Sequence, residues 1–288
     1  MSAPSLSDFT IVKLIGQGSS GAVYRARERN SGKYVALKVV EKGIYCDSRT
    51  LLEQQLQQSL SASPFVLPLL ASWHDSANFY LVSHLCGGQD IEVNLSIEGR
   101  FSEERARFYA AELLVALEDL KAHNVLHRDL KPANILLTSK GHVRLSDFGL
   151  ATKLKAAPVT RYDFDVDPTA CSGSFTIHDP DFTSSERVGT PSYMNADQLL
   201  GRPYSFEADL HGLGVTIYQM LTGRLPFGEG AKSREETLEA VVCEHLVFRP
   251  EDKVSPQARD LLAKLLGRDS RNPAQLLDIK SHPWFDGV

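Results

Sequence analysis

The sequence predicts an α+β protein of two lobes, a small β-rich half followed by a larger helical half. Three observations carry that expectation. The chain has 288 residues, more than one hydrophobic core usually serves. Its first third alternates apolar and polar residues and is rich in β-branched side chains. From Phe101 onward, apolar residues recur at three- and four-residue spacing instead.

In chain order, FTIVKLIG, AVYRARER and YVALKVV read as strands separated by the turns GQGSSG and NSGK. SRTLLEQQLQQSL then has helical spacing, with Leu52, Leu56 and Leu60 on one face and Asp47 or Ser48 as the cap. FVLPLLASW and NFYLVSHL return to strand composition. Ser102 followed by Glu103 and Glu104 starts a helix, placing acidic groups at the positive end of its dipole. Ala110, Leu113, Leu114, Leu117 and Leu120 line one face of it, and Leu210, Leu213, Ile217 and Met220 form a second stripe. In SPQARDLLAKLLG, Ser255 caps, Pro256 takes the first turn and Gly267 ends the helix. The polar, turn-prone insert DFDVDPTACSGSFTIHDPDFTSSE interrupts the helical half and is expected to form a mobile loop. These elements divide the chain into a small lobe over residues 1–85 and a large lobe over 86–288.

Composition narrows the function. With 42% hydrophobic and 23% charged residues the chain is of the soluble globular type. A net charge of −5 gives no overall attraction to nucleic acid or to an anionic membrane. No apolar run approaches the roughly 18 residues a transmembrane helix needs, and MSAPSLSDFTIVKLIG lacks the pattern of a secretory signal. Cys46, Cys86, Cys171 and Cys243 match no zinc or redox spacing. Free thiols in a reducing compartment, cytoplasmic or nuclear, are the expectation.

Four motifs carry chemistry. GQGSSGAV, residues 16–23, is G-x-G-x-x-G-x-V, whose glycines let backbone N–H groups approach phosphate oxygens. A tight hairpin turn also produces glycines. AVYRARER reads as a strand where a dinucleotide fold would place a helix, and no G-K-[ST] closes a Walker motif. In VALK, Lys38 is an ammonium among apolar neighbours, which needs an anionic partner if buried. A solvated strand-edge lysine fits that short stretch as well. HRDLKPAN, residues 127–134, collects a carboxylate at Asp129, a cation at Lys131 and a carboxamide at Asn134. Thirteen residues further on, SDFGL supplies Asp147. An Asp and an Asn near one another offer oxygens for Mg²⁺, a set suited to phosphoryl transfer. Any one of these residues has a structural explanation of its own, such as a helix cap for Asp147. Four motifs in this order do not.

Together G-x-G-x-x-G-x-V, V-A-L-K, H-R-D-L-K-P-x-N and D-F-G resemble the signature set of the protein kinases. The resemblance runs from Phe9 to the closing SHPWF and implies the two-lobed protein kinase fold. LKPAN and GTPSY resemble the Ser/Thr kinases, and RARFYAAELLVALEDL with GHVRLSDFGLA resembles the AGC group. The resemblance implies ATP and Mg²⁺ as cofactors. Gly16, Gln17, Gly18, Ser19, Ser20 and Gly21 would cover the phosphates. Lys38 would bind the α- and β-phosphates with Glu53 as its partner, although Gln54 is an alternative. Val23, Ala36 and Leu136 would sandwich the adenine, and Phe79 to Cys86, with Ser83 and Leu85 as contacts, would lead into the hinge. Asp129 would orient the substrate hydroxyl, Lys131 contact the γ-phosphate, Thr190 bond near both, and Asn134 and Asp147 hold Mg²⁺.

The chain also departs from the family. Asn195-Ala196-Asp197 stands where A-P-E is usual, and Asp197 is expected to reach Arg271. Asp209-Leu210-His211 replaces D-x-W. The segment from Asp147 to Asp197 spans 51 residues, longer than the family norm. Glu186 occupies a position where AGC kinases commonly carry an activating phosphothreonine, and is expected to pair with Arg128 as a weaker substitute. Thr183, Ser184 and Ser185 are candidate phosphosites. Acidic residues that read arginine on substrates are replaced by Ala133 and by Gln219 of Tyr218-Gln219-Met220, and one is shifted to Gln89-Asp90. Weak selectivity for upstream arginine follows. The chain stops soon after SHPWF, so the hydrophobic-motif extension of typical AGC kinases is not expected.

The leading expectation is a Mg²⁺- and ATP-dependent kinase of protein Ser/Thr hydroxyls, with neither nucleic acid nor membrane as partner. A pseudokinase or scaffold is the second reading and a small-molecule kinase the third.

Overall fold

The computed structural model describes residues 4–18, 21–43, 47–154, 183–267 and 274–288. Five strands build the small lobe: β1 (Phe9–Gly18), β2 (Gly21–Glu28), β3 (Tyr34–Glu41), β4 (Leu69–His74) and β5 (Asn78–His84). They form one antiparallel sheet in the order β1-β2-β3-β5-β4. Val23 lies opposite Lys38, Lys38 opposite Leu81, and Ala36 opposite Ser83. Alternation therefore places these five side chains on one face. The other face is closed by its own core, in which Ala26, Val35, Leu37, Tyr80 and Val82 pack with Phe9 and Trp73. There Trp73 stacks between Phe9 and Tyr80, with ring centroids 5.5 and 5.0 Å away. With that side sealed, the Lys38 face is the one left to meet the rest of the chain.

Between β3 and β4 runs α1 (Asp47–Ser59). Leu56 is buried on it as expected, as is Leu60 just beyond its end, and so is the carboxylate residue Glu53. The helix includes both Asp47 and Ser48, so neither caps it. Strand composition misled at Phe65–Leu67, which only flanks Leu145 through a short bridge; β4 begins after Pro68, whose missing N–H suits a strand start.

The large lobe holds α2 (Ile91–Glu98), α3 (Glu103–Ala122), β6 (Val125–Leu126), β7 (Ile135–Leu137), β8 (Val143–Leu145), β9 (Thr152–Lys153), α4 (Ala196–Leu200), α5 (Glu207–Thr222), α6 (Arg234–Cys243), α7 (Pro256–Leu265) and α8 (Leu276–Lys280). Ser102 caps α3 through the Arg105 N–H, and Ser255 caps α7 through the Ala258 N–H. α7 stops at Leu265, two residues short of Gly267. Helix α2 was absent from the sequence expectation. Only Ile91 and Leu95 are buried on it, too few for a period to stand out, and Asp90 supplies its N-cap.

Fourteen of the sixteen residues of α5 are buried, so this helix is the axis of the lobe and not a one-sided stripe. Gly212 makes that possible beside the site. A Cβ there would lie 3.0 Å from the Leu130 carbonyl oxygen, so glycine lets α5 and the chain after β6 approach closely. The insert expected as a loop falls largely outside the described residues.

Candidate active site

Three short elements place the polar cluster. β6 ends at Leu126, the next residues turn, and a 3-10 turn at Pro132–Asn134 leads into β7. β7 pairs with β8, Ile135 opposite Leu145. That hairpin accounts for the thirteen residues between Asn134 and Asp147, because it carries the chain out and back to the same place. Ser146 closes the ring, donating both its N–H and its hydroxyl to the Asn134 carbonyl at 2.9 and 3.0 Å. Arg128 and Asp147 both hold left-handed backbones, at φ 67° and 61°, a cost of about 1–3 kcal/mol each that tends to be retained at functional sites.

The turn is held from beneath. Asp209 of α5, fully buried, accepts the backbone N–H groups of His127 and Arg128, each at 2.8 Å. Buried His127 reaches the Ser146 carbonyl at 3.0 Å through Nε2 and packs edge-on against Phe148.

Lys38 joins the lobes. Its Nζ lies 2.8 Å from Glu53 and 2.9 Å from Asp147. Glu53, and not Gln54, is therefore the partner on α1. Burial disfavours the ammonium, but the two carboxylates outweigh it and hold Lys38 above the usual lysine range. Burial likewise pushes Asp147 up, and Lys38 overcomes that to leave it ionised below the usual carboxylate range.

Asp129 sits in a second cluster. One carboxylate oxygen accepts the Thr190 N–H and hydroxyl, both at 2.8 Å. The other lies 2.8 Å from Lys131 Nζ and 3.0 Å from Asn134 Nδ2. Lys131 also donates to the Thr190 hydroxyl at 2.6 Å. Against burial, which raises it, these partners bring the Asp129 carboxyl below its ordinary range. Asn134 spends its amide N–H groups on Asp129, leaving its carbonyl oxygen for another ligand.

Above this floor, Val23, Ala36 and Ser83 share the Lys38 face of the sheet. The segment after β5 runs down to β7: Gly88 donates to Leu137 at 2.8 Å, and Asp90 bridges to Leu136. Leu85 thus lies on the strip joining the sheet to Leu136. Gly16 pairs with Val23, Gln17 with Ala22 and Gly18 with Gly21. Gly21 has φ 118°, and a Cβ there would meet the Val39 carbonyl at 2.4 Å, so this glycine is demanded by strand packing alone. Gly18 has open space around it. Ser19 and Ser20 lie outside the described residues.

Within the protein kinase domain family, the family model spans residues 9–285 of this chain. The chain belongs to the protein kinase family. It is 36% identical, over 98% of its length, to the serine/threonine protein kinase ypkA of Aspergillus fumigatus, covering 41% of that protein. It is 35% identical over 99% of its length to the serine/threonine-protein kinase gad8 of Schizosaccharomyces pombe, covering 46% of it. Against the RAC-beta serine/threonine-protein kinase A of Xenopus laevis it is 32% identical over 99%, covering 54%. The chain thus spans about half the length of these relatives, which are Ser/Thr kinases of the AGC group.

The departures of this kinase now have local explanations. Asn195 caps α4 through the Gln198 N–H, and Gln198 returns a bond to the Asn195 N–H, so the first residue of N-A-D makes a capping box. Asp197 lies 4.0 Å from Arg202, while Arg271 is outside the described residues. His211 is buried in α5 and its Nε2 has no hydrogen-bond partner. Glu186 meets Arg128 at 3.2 Å and also Arg49 of α1 at 3.6 Å. Arg49 was not anticipated, although it stands one helical turn before Glu53 on the same face. Ser184 accepts from the same Arg128 nitrogen at 3.1 Å. Asp90 is occupied as a helix cap, and Gln219 accepts the Tyr193 hydroxyl at 2.6 Å.

Proposed function

We propose that this kinase transfers the γ-phosphate of ATP to Ser or Thr hydroxyls of proteins in a Mg²⁺-dependent reaction. The observation that carries the reading is Lys38 bonded at once to Glu53 and Asp147, since this ties the nucleotide face of the sheet to the catalytic turn. Lys38 binds the α- and β-phosphates, and Gly16, Gln17, Gly18, Ser19, Ser20 and Gly21 cover them. Val23, Ala36 and Leu136 enclose the adenine, with Ser83 and Leu85 at its edge.

The donor set fits Mg²⁺. Asn134 keeps its side-chain carbonyl oxygen unspent, and the Asp147 carboxylate, which also takes the Gly149 N–H, has a second oxygen besides the one facing Lys38; hard oxygen ligands shared with phosphate are what this cation takes. Bound there, Mg²⁺ would neutralise charge on the phosphate oxygens. Asp129 orients the substrate hydroxyl, Lys131 offsets charge on the transferring phosphoryl group, and Thr190 fixes both side chains. Asp129, ionised and acceptor-only, is suited to receive the hydroxyl proton. The cytoplasm or nucleus supplies the nucleotide this reading requires.

Transfer of radiolabel from ATP to a generic protein substrate tests the reading. Label is expected with the wild type and Mg²⁺, and not with Asp147→Asn. Equal, trace labelling by both would favour a nucleotide-binding scaffold.

A further inference from the structure

In the reading above, the substrate hydroxyl sits against the Asp129 carboxylate, so the residues around that carboxylate flank the substrate chain. Thr190 bonds it through both its N–H and its hydroxyl, each at 2.8 Å. Gly189 lies close on the Arg128 carbonyl oxygen, which an added Cβ would meet at 2.5 Å. The backbone leading into the site is therefore pinned, and Arg187 stands on it three residues before Thr190. Three residues span at most about 11 Å, and a bound peptide covers the same distance in three residues of its own.

Arg187 is exposed. Its guanidinium makes one bond among the described residues, donating from Nη2 to the Leu200 carbonyl at 2.8 Å. That carbonyl belongs to the last residue of α4, where a helix end leaves acceptors open. The guanidinium also rests on Gly201, where an added Cβ would lie 2.6 Å from Nε. Bond and glycine together seat the arginine without neutralising it. The neighbouring carboxylate, Glu186, is turned to Arg128 and Arg49. Arg202, which follows Gly201, is exposed as well and has Asp197 at 4.0 Å, the limit of an ion pair. Two arginines against one distant carboxylate leave this side of the turn positive.

We propose that Arg187 reads an acidic side chain within three residues of the phosphorylated hydroxyl, with Arg202 adding to the attraction. A carboxylate matches the planar N–H fork of a guanidinium, and a fork already seated loses little freedom when the ligand arrives. The inference rests on the protein kinase reading above and specifies the substrate class for it. Arg187 is a specificity residue and takes no part in the phosphoryl step.

The test uses peptides with one serine and Asp or Asn placed in turn at each of three positions on either side. At one position the Asp peptide is expected to have about fivefold higher kcat/KM than its Asn counterpart, through KM, the size an exposed ion pair supports. Arg187→Gln brings that ratio to about one and leaves transfer to the Asn peptide near the wild-type rate. Arg187→Lys retains part of the ratio, and Arg187→Glu turns the preference to a Lys peptide. If Arg187 only braced α4, Arg187→Gln would slow transfer to both peptides alike with their ratio unchanged, and the inference would be overturned. Fluorescence anisotropy with alanine in place of the serine reads the same ratio in binding, so selective binding without transfer would sink the kinase reading and leave this one standing. A wild-type protein that prefers Asp in binding at no position overturns the inference without recourse to any variant.

Discussion

Lys38 illustrates what a single side chain does here. Its removal would leave the buried Glu53, whose carboxyl is already pushed up by burial, near Asp147 without the cation the two share. Breaking a buried pair from one side costs about 3–5 kcal/mol, so Lys38→Met is expected to lower stability by that order as well as abolish transfer. Adding Glu53→Gln should recover part of the stability without the activity, a non-additivity that denaturant unfolding of the double-mutant cycle reads directly. Glu186 works at the surface, and its two arginine contacts are correspondingly modest. The pair with Arg49, exposed on both sides, is worth about 0.2–1 kcal/mol, while the pair with Arg128 has its arginine buried and its carboxylate exposed. Glu186→Gln is expected to lower kcat two- to fivefold at low salt, and the gap should close as salt is added. No difference at low salt would show that the Arg49–Glu186–Arg128 bridge holds nothing in place. At this scale the candidate residues stood out in the sequence because phosphate, metal and proton chemistry would each demand a particular functional group. Arg49 and Asp209 were not assigned, because their partners lie 137 and 82 residues away in the chain (186 − 49 and 209 − 127).

Among the elements, α5 and α4 carry the sharpest expectations. Burial alone depresses His211 to about 4 from an ordinary 6.5, so the unfolded chain binds this proton more readily. Stability from the neutral imidazole is present above pH 6.5 and is lost as pH falls from there to 4, reaching about 3 kcal/mol. His211→Phe should remove this part of the acid sensitivity, measured as the difference between the two unfolding free energies across that window. Identical pH dependence would place the sensitivity elsewhere. At α4, Asn195→Ala removes the side-chain half of the capping box, the acceptor of the Gln198 N–H, and is expected to cost about 1 kcal/mol, visible as a lower melting temperature. The β-strands and the long helices were legible from periodicity. Features set by neighbours were less so: α2 is too short to show a period, α5 was legible as the stripe Leu210, Leu213, Ile217 and Met220 but not as a helix buried on nearly every side, and Phe65–Leu67 has strand composition with only a bridge to pair with.

For the whole molecule, the Lys38 bonds to Glu53 and Asp147 tie the sheet to the helical half, so nucleotide bound beside them is expected to stabilise the fold by joining its halves. A ligand at a hundred times its Kd adds about 2.7 kcal/mol. Mg²⁺ with ATP is expected to raise the melting temperature, and Asp147→Asn to remove the part that depends on the metal. A shift unchanged by that substitution would show that Asp147 is not a metal ligand.

The sequence by itself determined the α+β class and the four motifs with their functional groups, because these depend on local periodicity and on chemistry few side chains supply. Tertiary structure alone decided that Glu53 and not Gln54 meets Lys38, that Glu186 reaches Arg49, and that Asp209 holds the His127–Arg128 turn from beneath. Such outcomes depend on how distant elements approach, to within the 3 Å range of a hydrogen bond, and no local pattern encodes that distance.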